Sequence, residues 1–245
     1  MLTYEARPQF RAFHHRKQRF AIGVAHRRAG KTVACVVDLL WRAMQCQLPR
    51  PRYAYLAPLY SQAKSVAWDY LKTYGEAIGG KAYEYELRMD LPGDRRVRLY
   101  GADNPDALRG QYWDGVVLDE YAQMRPSVWP EIIRPALADR EGCATFIGTP
   151  RGHNDFYKRY QEALGFPDEW FSFLLKASET KLLKEAELEA AARVMTPEQY
   201  QQEFECSFEA AILGAYYGPL MAKAEEEGRV TDLPRSIASR RAVSS

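Results

Sequence analysis

Eight consecutive residues, Ala25-His26-Arg27-Arg28-Ala29-Gly30-Lys31-Thr32, carry the clearest chemical signal in the chain. They follow an apolar run at 20–25 and precede an amphipathic pattern that opens at Thr32. A strand, a small-residue loop and a helix start, in that order, are the context a phosphate-binding loop requires. Backbone N–H groups at Arg28, Ala29 and Gly30 would cradle phosphate oxygens at the helix N-terminus. Lys31 would reach the β- and γ-phosphates of ATP, and the Thr32 hydroxyl would hold Mg²⁺. Ala25 departs from the usual motif, which has glycine there, and is tolerated if its φ stays negative. A Gly-Lys-Thr tripeptide alone is too common to decide the matter.

A second signal lies in Gly115-Val116-Val117-Leu118-Asp119-Glu120, an apolar strand ending in two adjacent acids. Carboxylates at the end of a buried strand need a task to offset their desolvation. Asp119 would organise the Mg²⁺ shell, and Glu120, pointing the other way, would polarise an attacking water. Adjacent acids favour hydrolytic P-loop enzymes, including helicases, translocases and motor rings, over kinase-like ones. A third strand, Ala144-Thr145-Phe146-Ile147-Gly148, runs into Thr149-Pro150-Arg151-Gly152 and should lie beside the acidic one. Thr149 would then sense the γ-phosphate and pass the state of the site onward.

These motifs need a scaffold. Apolar runs at 20–25, 53–57, 97–100, 115–118, 144–147 and 171–175 alternate with helical patterns at 32–46, 61–78 and 154–164. That alternation predicts an α/β P-loop fold, with a mainly parallel central sheet flanked by helices. Beyond Leu175 the pattern turns helical, at 178–192 and 197–208, with Thr196-Pro197 as a start signal. We expect a core over 1–177, a small helical lid lobe over 178–212, and a junction with a disordered, basic tail over 213–245.

With 245 residues and 47% apolar content, one large domain with a sizeable core fits. A net charge of +2 is low for a protein that coats DNA, though Arg and Lys cluster at 11–19, 27–28 and 95–98. Four widely spaced cysteines form no C-x-x-C pair, which argues against a zinc site or a disulfide framework. No run of 18 apolar residues occurs, so no membrane partner is expected.

In order and spacing, the loop H-R-R-A-G-K-T and the strands V-V-L-D-E-Y-A and F-I-G-T-P-R-G-H-N resemble the large terminase subunit of tailed bacteriophages. The resemblance runs from about Gln9 to Gly218. It implies an ATP- and Mg²⁺-dependent motor that pumps double-stranded DNA into a procapsid without reading its sequence. It also implies a homo-oligomeric ring on a capsid portal, a small terminase subunit as partner, and action in the cytoplasm of a bacterial host. By the same resemblance Arg27 is a phosphate-sensing arginine and Gln9 reads adenine. Arg109, in Leu108-Arg109-Gly110, resembles an arginine that the family can supply to a neighbouring subunit. Phe10 and Phe13 are candidates to stack on the base, with core packing the expected fate of both. Gly214-Ala215-Tyr216-Tyr217-Gly218 resembles the junction to a nuclease domain, but no acid-bearing strand follows it, so nuclease activity is not expected of this chain. Two alternatives stand: a helicase-like nucleic-acid-dependent ATPase, which needs a second motor domain, and a scaffold with a degenerate loop. The second conflicts with intact Lys31, Thr32, Asp119 and Glu120.

Overall fold

A computed structural model describes residues 4–209, which belong to one compact unit, Met1–Ala210. Its elements begin with α1 (Pro8–His14), β1 (Phe20–Ala25), α2 (Lys31–Gln45) and β2 (Arg52–Ala57). A helical stretch follows as α3 (Tyr60–Ala63), a π turn (Lys64–Trp68) and α4 (Asp69–Ala77). Then come β3 (Lys81–Tyr83), β4 (Arg88–Leu91), β5 (Arg95–Gly101) and β6 (Gly115–Asp119). After a π segment (Val128–Ile133) the chain forms α5 (Arg134–Ala136), β7 (Cys143–Gly148), α6 (Asp155–Gly165) and β8 (Trp170–Leu175). The last described elements are α7 (Ala177–Thr180), α8 (Glu185–Val194) and α9 (Pro197–Glu203).

Eight strands form one sheet in the order β3-β4-β5-β2-β6-β7-β1-β8. All pairings are parallel except those of β4 with β3 and β5. Alternation along the strands sorts side chains between two cores. Ile22, Val24, Ala54, Leu56 and Phe146 face one side, with Trp113, Trp129, Phe156 and Trp170. Ala21, Tyr53, Tyr55, Val117 and Ile147 face the other, with Phe10 and Phe13 of α1 and the apolar stripe of α2. Strands β1 and β6 are buried along their whole length, as a parallel sheet covered on both faces requires. Gly23 sits where a Cβ would come within 2.2 Å of the Phe173 ring and 2.7 Å of Ile147 Cδ1, so any side chain there would force those neighbours to shift.

All six predicted strands are present, most of them a residue longer at one or both ends. The hairpin of β3 and β4 was not foreseen: strands of three and four residues carry too little periodicity to stand out. The helix expected over 61–78 is interrupted by the π turn. The one expected over 178–192 is two helices, because Lys181 adopts a left-handed conformation (φ 52°) and ends α7. The one expected over 197–208 starts on a Thr196–Gln199 capping box and stops at Glu203, where the chain turns to bury Phe204 and Phe208. The junction at 214–218 and the tail expected over 213–245 lie outside the described residues.

Candidate nucleotide site

Three strand ends converge on one lysine. β1 delivers the loop His26–Gly30, β6 delivers Asp119 and Glu120, and β7, between them in the sheet, delivers Thr149. The Lys31 ammonium, largely buried at the first position of α2, donates to the carbonyls of Ala25 (3.0 Å) and His26 (3.4 Å) and to Thr149 Oγ1 (3.1 Å). Its Nζ lies 3.9 Å from Glu120 Oε1. Gly30, at φ 98°, makes the left-handed turn that starts α2, a conformation glycine adopts without steric cost. Arg28 also sits at positive φ (65°), so the loop backbone takes a left-handed conformation at two points, and between them the Ala29 N–H donates to the His26 carbonyl at 3.3 Å.

The acidic strand divides its two carboxylates by backbone geometry. Asp119 continues β6 and is buried, 3% exposed. Glu120 takes a left-handed conformation (φ 50°, ψ 42°), which costs a non-glycine residue roughly 1–2 kcal/mol. Its N–H donates to Asp119 Oδ1 at 2.9 Å, and its carbonyl accepts from Gln123 N–H at 2.9 Å, which offsets that cost. The strain turns the Glu120 carboxylate toward Lys31, while Asp119 Oδ2 accepts a hydrogen bond from the Tyr55 hydroxyl. Burial pushes the Asp119 carboxyl up to about 6, reinforced by the Glu120 charge and opposed by Tyr55 and Lys31. Tyr55 is raised well above the usual phenol range by burial, then by the charges of Asp119 and Cys35, with the Thr32 hydroxyl pulling the other way. Tyr55 and Asp119 therefore meet on the α2 side of the sheet, near the start of the helix that carries Thr32.

Hydroxyl and carboxylate oxygens are the hard ligands Mg²⁺ prefers, and Mg²⁺ takes few of them from the protein when phosphates supply the rest. No group of three or more His, Cys, Asp or Glu side chains that could hold a metal ion occurs among the described residues. A Thr–Asp pair beside a phosphate loop fits Mg²⁺ on those terms.

The loop is braced from outside by Arg7, which the sequence did not single out, and by contacts of His26 and Gln9 that it could not show. Arg7 Nη1 donates to the carbonyl of Ala29 at 2.8 Å. His26, fully buried, has Nδ1 2.6 Å from the Arg27 carbonyl and Nε2 2.9 Å from Thr180 Oγ1. Burial lowers its pKa, which favours a neutral ring. Gln9 donates its amide to the Thr180 carbonyl at 3.2 Å, and its Oε1 is buried without a partner among the described residues. Phe10 and Phe13 pack in the core, leaving neither ring to stack on a base.

Two of the arginines lie apart from the lysine cluster. Arg27 points at α9, where its Nε is 2.8 Å from Glu203 Oε2 and its N–H donates to the Glu203 carbonyl at 3.1 Å. Arg109 follows a short 3₁₀ turn (Pro105–Leu108), is 60% exposed, and pairs locally with Asp106 Oδ1 at 3.4 Å. The preceding turn, through Ala107 and Leu108, lines a cleft of about 330 Å³ together with Tyr60, Arg98, Tyr100 and Gln111, and Arg109 is not part of that lining.

The same arrangement of strands and loops is found in solved phage proteins. The ATPase domain of the Thermus phage P74-26 large terminase superposes with a TM-score of 0.71 at 24% identity, covering 84% of this chain and 94% of that domain. The fold is that of a phage large terminase ATPase domain. The large terminase of a thermophilic bacteriophage, solved in complex with ADP, superposes at a TM-score of 0.64 and 17% identity over 78% of this chain and 48% of its own. Sequence comparison points the same way. The terminase large subunit of Thermus virus P23-45 is 29% identical over 178 residues, 64% of this chain and 36% of that protein. That of Escherichia phage T5 is 27% identical over 200 residues, 78% of this chain and 44% of that protein. No family model matches the sequence. The chain thus spans less than half the length of the terminase large subunits it matches in sequence.

Proposed function

We propose that the chain hydrolyses ATP and that, as in a terminase motor, hydrolysis drives double-stranded DNA into a procapsid. The observation that carries the first part is the convergence of Lys31, Thr149 and Glu120 on one point, with Asp119 and Thr32 beside it. ATP would lie along the loop, its phosphates held by the N–H groups of Arg28, Ala29 and Gly30 and by Lys31. Gln9, now bonded to the Thr180 carbonyl, would turn to read the adenine edge. Mg²⁺, held by Thr32 and Asp119, would neutralise charge on the β- and γ-phosphates. Glu120 would accept the proton of a water attacking the γ-phosphorus in line with the leaving oxygen.

Arg27 would leave Glu203 to meet the γ-phosphate, which couples the site to α9, and Thr149 would report phosphate loss through its bond to Lys31. Arg109, exposed and paired only with the nearby Asp106, suits a role in a neighbouring subunit's site. On this reading the chain works in a ring on a capsid portal, with a small terminase subunit, in the cytoplasm of a bacterial host. DNA would be gripped by phosphate contacts, so binding is sequence-indifferent and steeply salt-dependent. No helix among the described residues is long and apolar enough to cross a membrane. The helicase-like alternative draws no support from the comparisons.

Steady-state ATP hydrolysis measured against protein concentration tests this reading. Specific activity that climbs with concentration, and loses roughly 10³–10⁵ in rate in Arg109→Ala, is the expected result. Specific activity independent of concentration removes the trans arginine, and no nucleotide binding at all contradicts the whole proposal.

A further inference from the structure

Tyr55 has no place in the chemistry above, yet its hydroxyl ends on the carboxylate assigned to the metal. In β2, Tyr55 pairs in parallel register with Val117 of β6, two residues before Asp119. Two residues of strand advance roughly 6.6 Å, about the reach of a phenol lying along the sheet. The next inward position of β2 is Ala57, whose small side chain leaves that path open. The phenol, wholly buried in the core that α2 covers, therefore ends with its hydroxyl on Asp119 Oδ2. Asp119 is then held by two donors, its Oδ1 by the Glu120 N–H and its Oδ2 by Tyr55. A carboxylate offers about four lone-pair positions, so two remain free.

We propose that Tyr55 is a positioning residue for Mg²⁺: its hydroxyl locks the Asp119 carboxylate in the orientation that leaves its free lone pairs toward Thr32 and the phosphate loop. An ordinary core tyrosine would need only some acceptor, and a backbone carbonyl would serve. Tyr55 instead spans a strand pair to reach the buried acid of the site. Groups that orient metal ligands are typically worth 10–100-fold in metal affinity. The inference rests on the assignment of Asp119 and Thr32 to Mg²⁺.

The test is binding of a fluorescent, non-hydrolysable ATP analogue, titrated with Mg²⁺ and separately in EDTA, for wild type and Tyr55→Phe. The Mg²⁺ midpoint should rise about tenfold or more in Tyr55→Phe while affinity in EDTA stays within about twofold. In an Asp119→Asn background the same substitution should shift nothing further. An unchanged midpoint overturns the proposal, and so does a loss in EDTA equal to the loss in Mg²⁺, which would mark Tyr55 as packing alone. If Tyr55→Phe does not fold, Tyr55→Met fills the same slot without a hydroxyl and is judged by the same two results. A wild type whose nucleotide affinity ignores Mg²⁺ overturns the metal assignment itself, and this inference with it. A wild type that responds to Mg²⁺ through Asp119 but not through Tyr55 overturns only the latter.

Discussion

The phosphate end of the sheet and the helices after β8 are built on opposite principles. β1 and β6 are buried throughout, and the side chains they deliver are fixed by packing on both faces. Helices α8 and α9 contain no buried residue. The segment is anchored by Ala177, Phe204, Cys206 and Phe208, and by the polar links from His26 and Gln9 to Thr180 and from Arg27 to Glu203. Regions with little buried apolar contact open at low free-energy cost, which suits an element that, on the proposed reading, moves on each turnover. Rigid strand ends hold the chemistry, and a weakly anchored lobe is free to answer it.

Substitutions can break that contrast. The largest effect is expected at Asp38 of α2, whose carboxylate takes both amino groups of the fully buried Arg16 at 2.8 Å, while Arg16 also donates to Thr145 of β7. Asp38→Asn leaves Arg16 buried without its counter-charge and should cost about 3–5 kcal/mol in denaturant unfolding. Burial alone would raise the Asp38 pKa, but hydrogen bonds from His14 and Arg16 and the charges of Arg16 and Arg42 bring it down to about 2. A depressed acid stabilises the fold above its unfolded pKa, about 3.9, and loses that contribution as pH falls through its folded value. The gap between wild type and Asp38→Asn should therefore close by roughly 2 kcal/mol between about pH 4 and pH 2. A gap that stays constant over that range would mean the network is not held by the ionised carboxylate.

Next comes Lys31→Met, which removes the positive charge at the convergence point and should lower the hydrolysis rate about 10²–10³-fold. Its Tm should not fall, because the substitution also relieves a largely buried charge. In the lobe the effects shrink. Thr196→Ala deletes the capping box of α9 and should cost that helix about 1 kcal/mol, seen as faster amide exchange over 197–203 with the core amides unchanged. Core amides that exchange faster as well would mean the lobe and sheet unfold as one unit. The smallest stability change is expected for Glu203→Ala, under about 1 kcal/mol, since Arg27 is mostly exposed.

The same contrast explains what the sequence made legible. Strands buried on both faces spell themselves out as apolar runs, and their ends carry Lys31, Asp119, Glu120 and Thr149 at motif spacing, so the fold class and the convergence point could be read directly. Tyr55 could not: its partner lies on another strand, and alternation marks it only as an inward residue. Nor could the pairing of Arg27 with Glu203 or of His26 with Thr180, contacts between residues far apart along the chain. The 178–192 helix was misjudged because its break comes from a backbone turn at Lys181, a residue type that gives no such signal.

The most direct test of the central claim compares nucleotide binding and hydrolysis in wild type and Glu120→Gln. The amide keeps the shape of the side chain but is a far weaker base. The account predicts ATP affinity within a few-fold of wild type and hydrolysis reduced by about 10²-fold or more. Wild-type turnover in Glu120→Gln would contradict it.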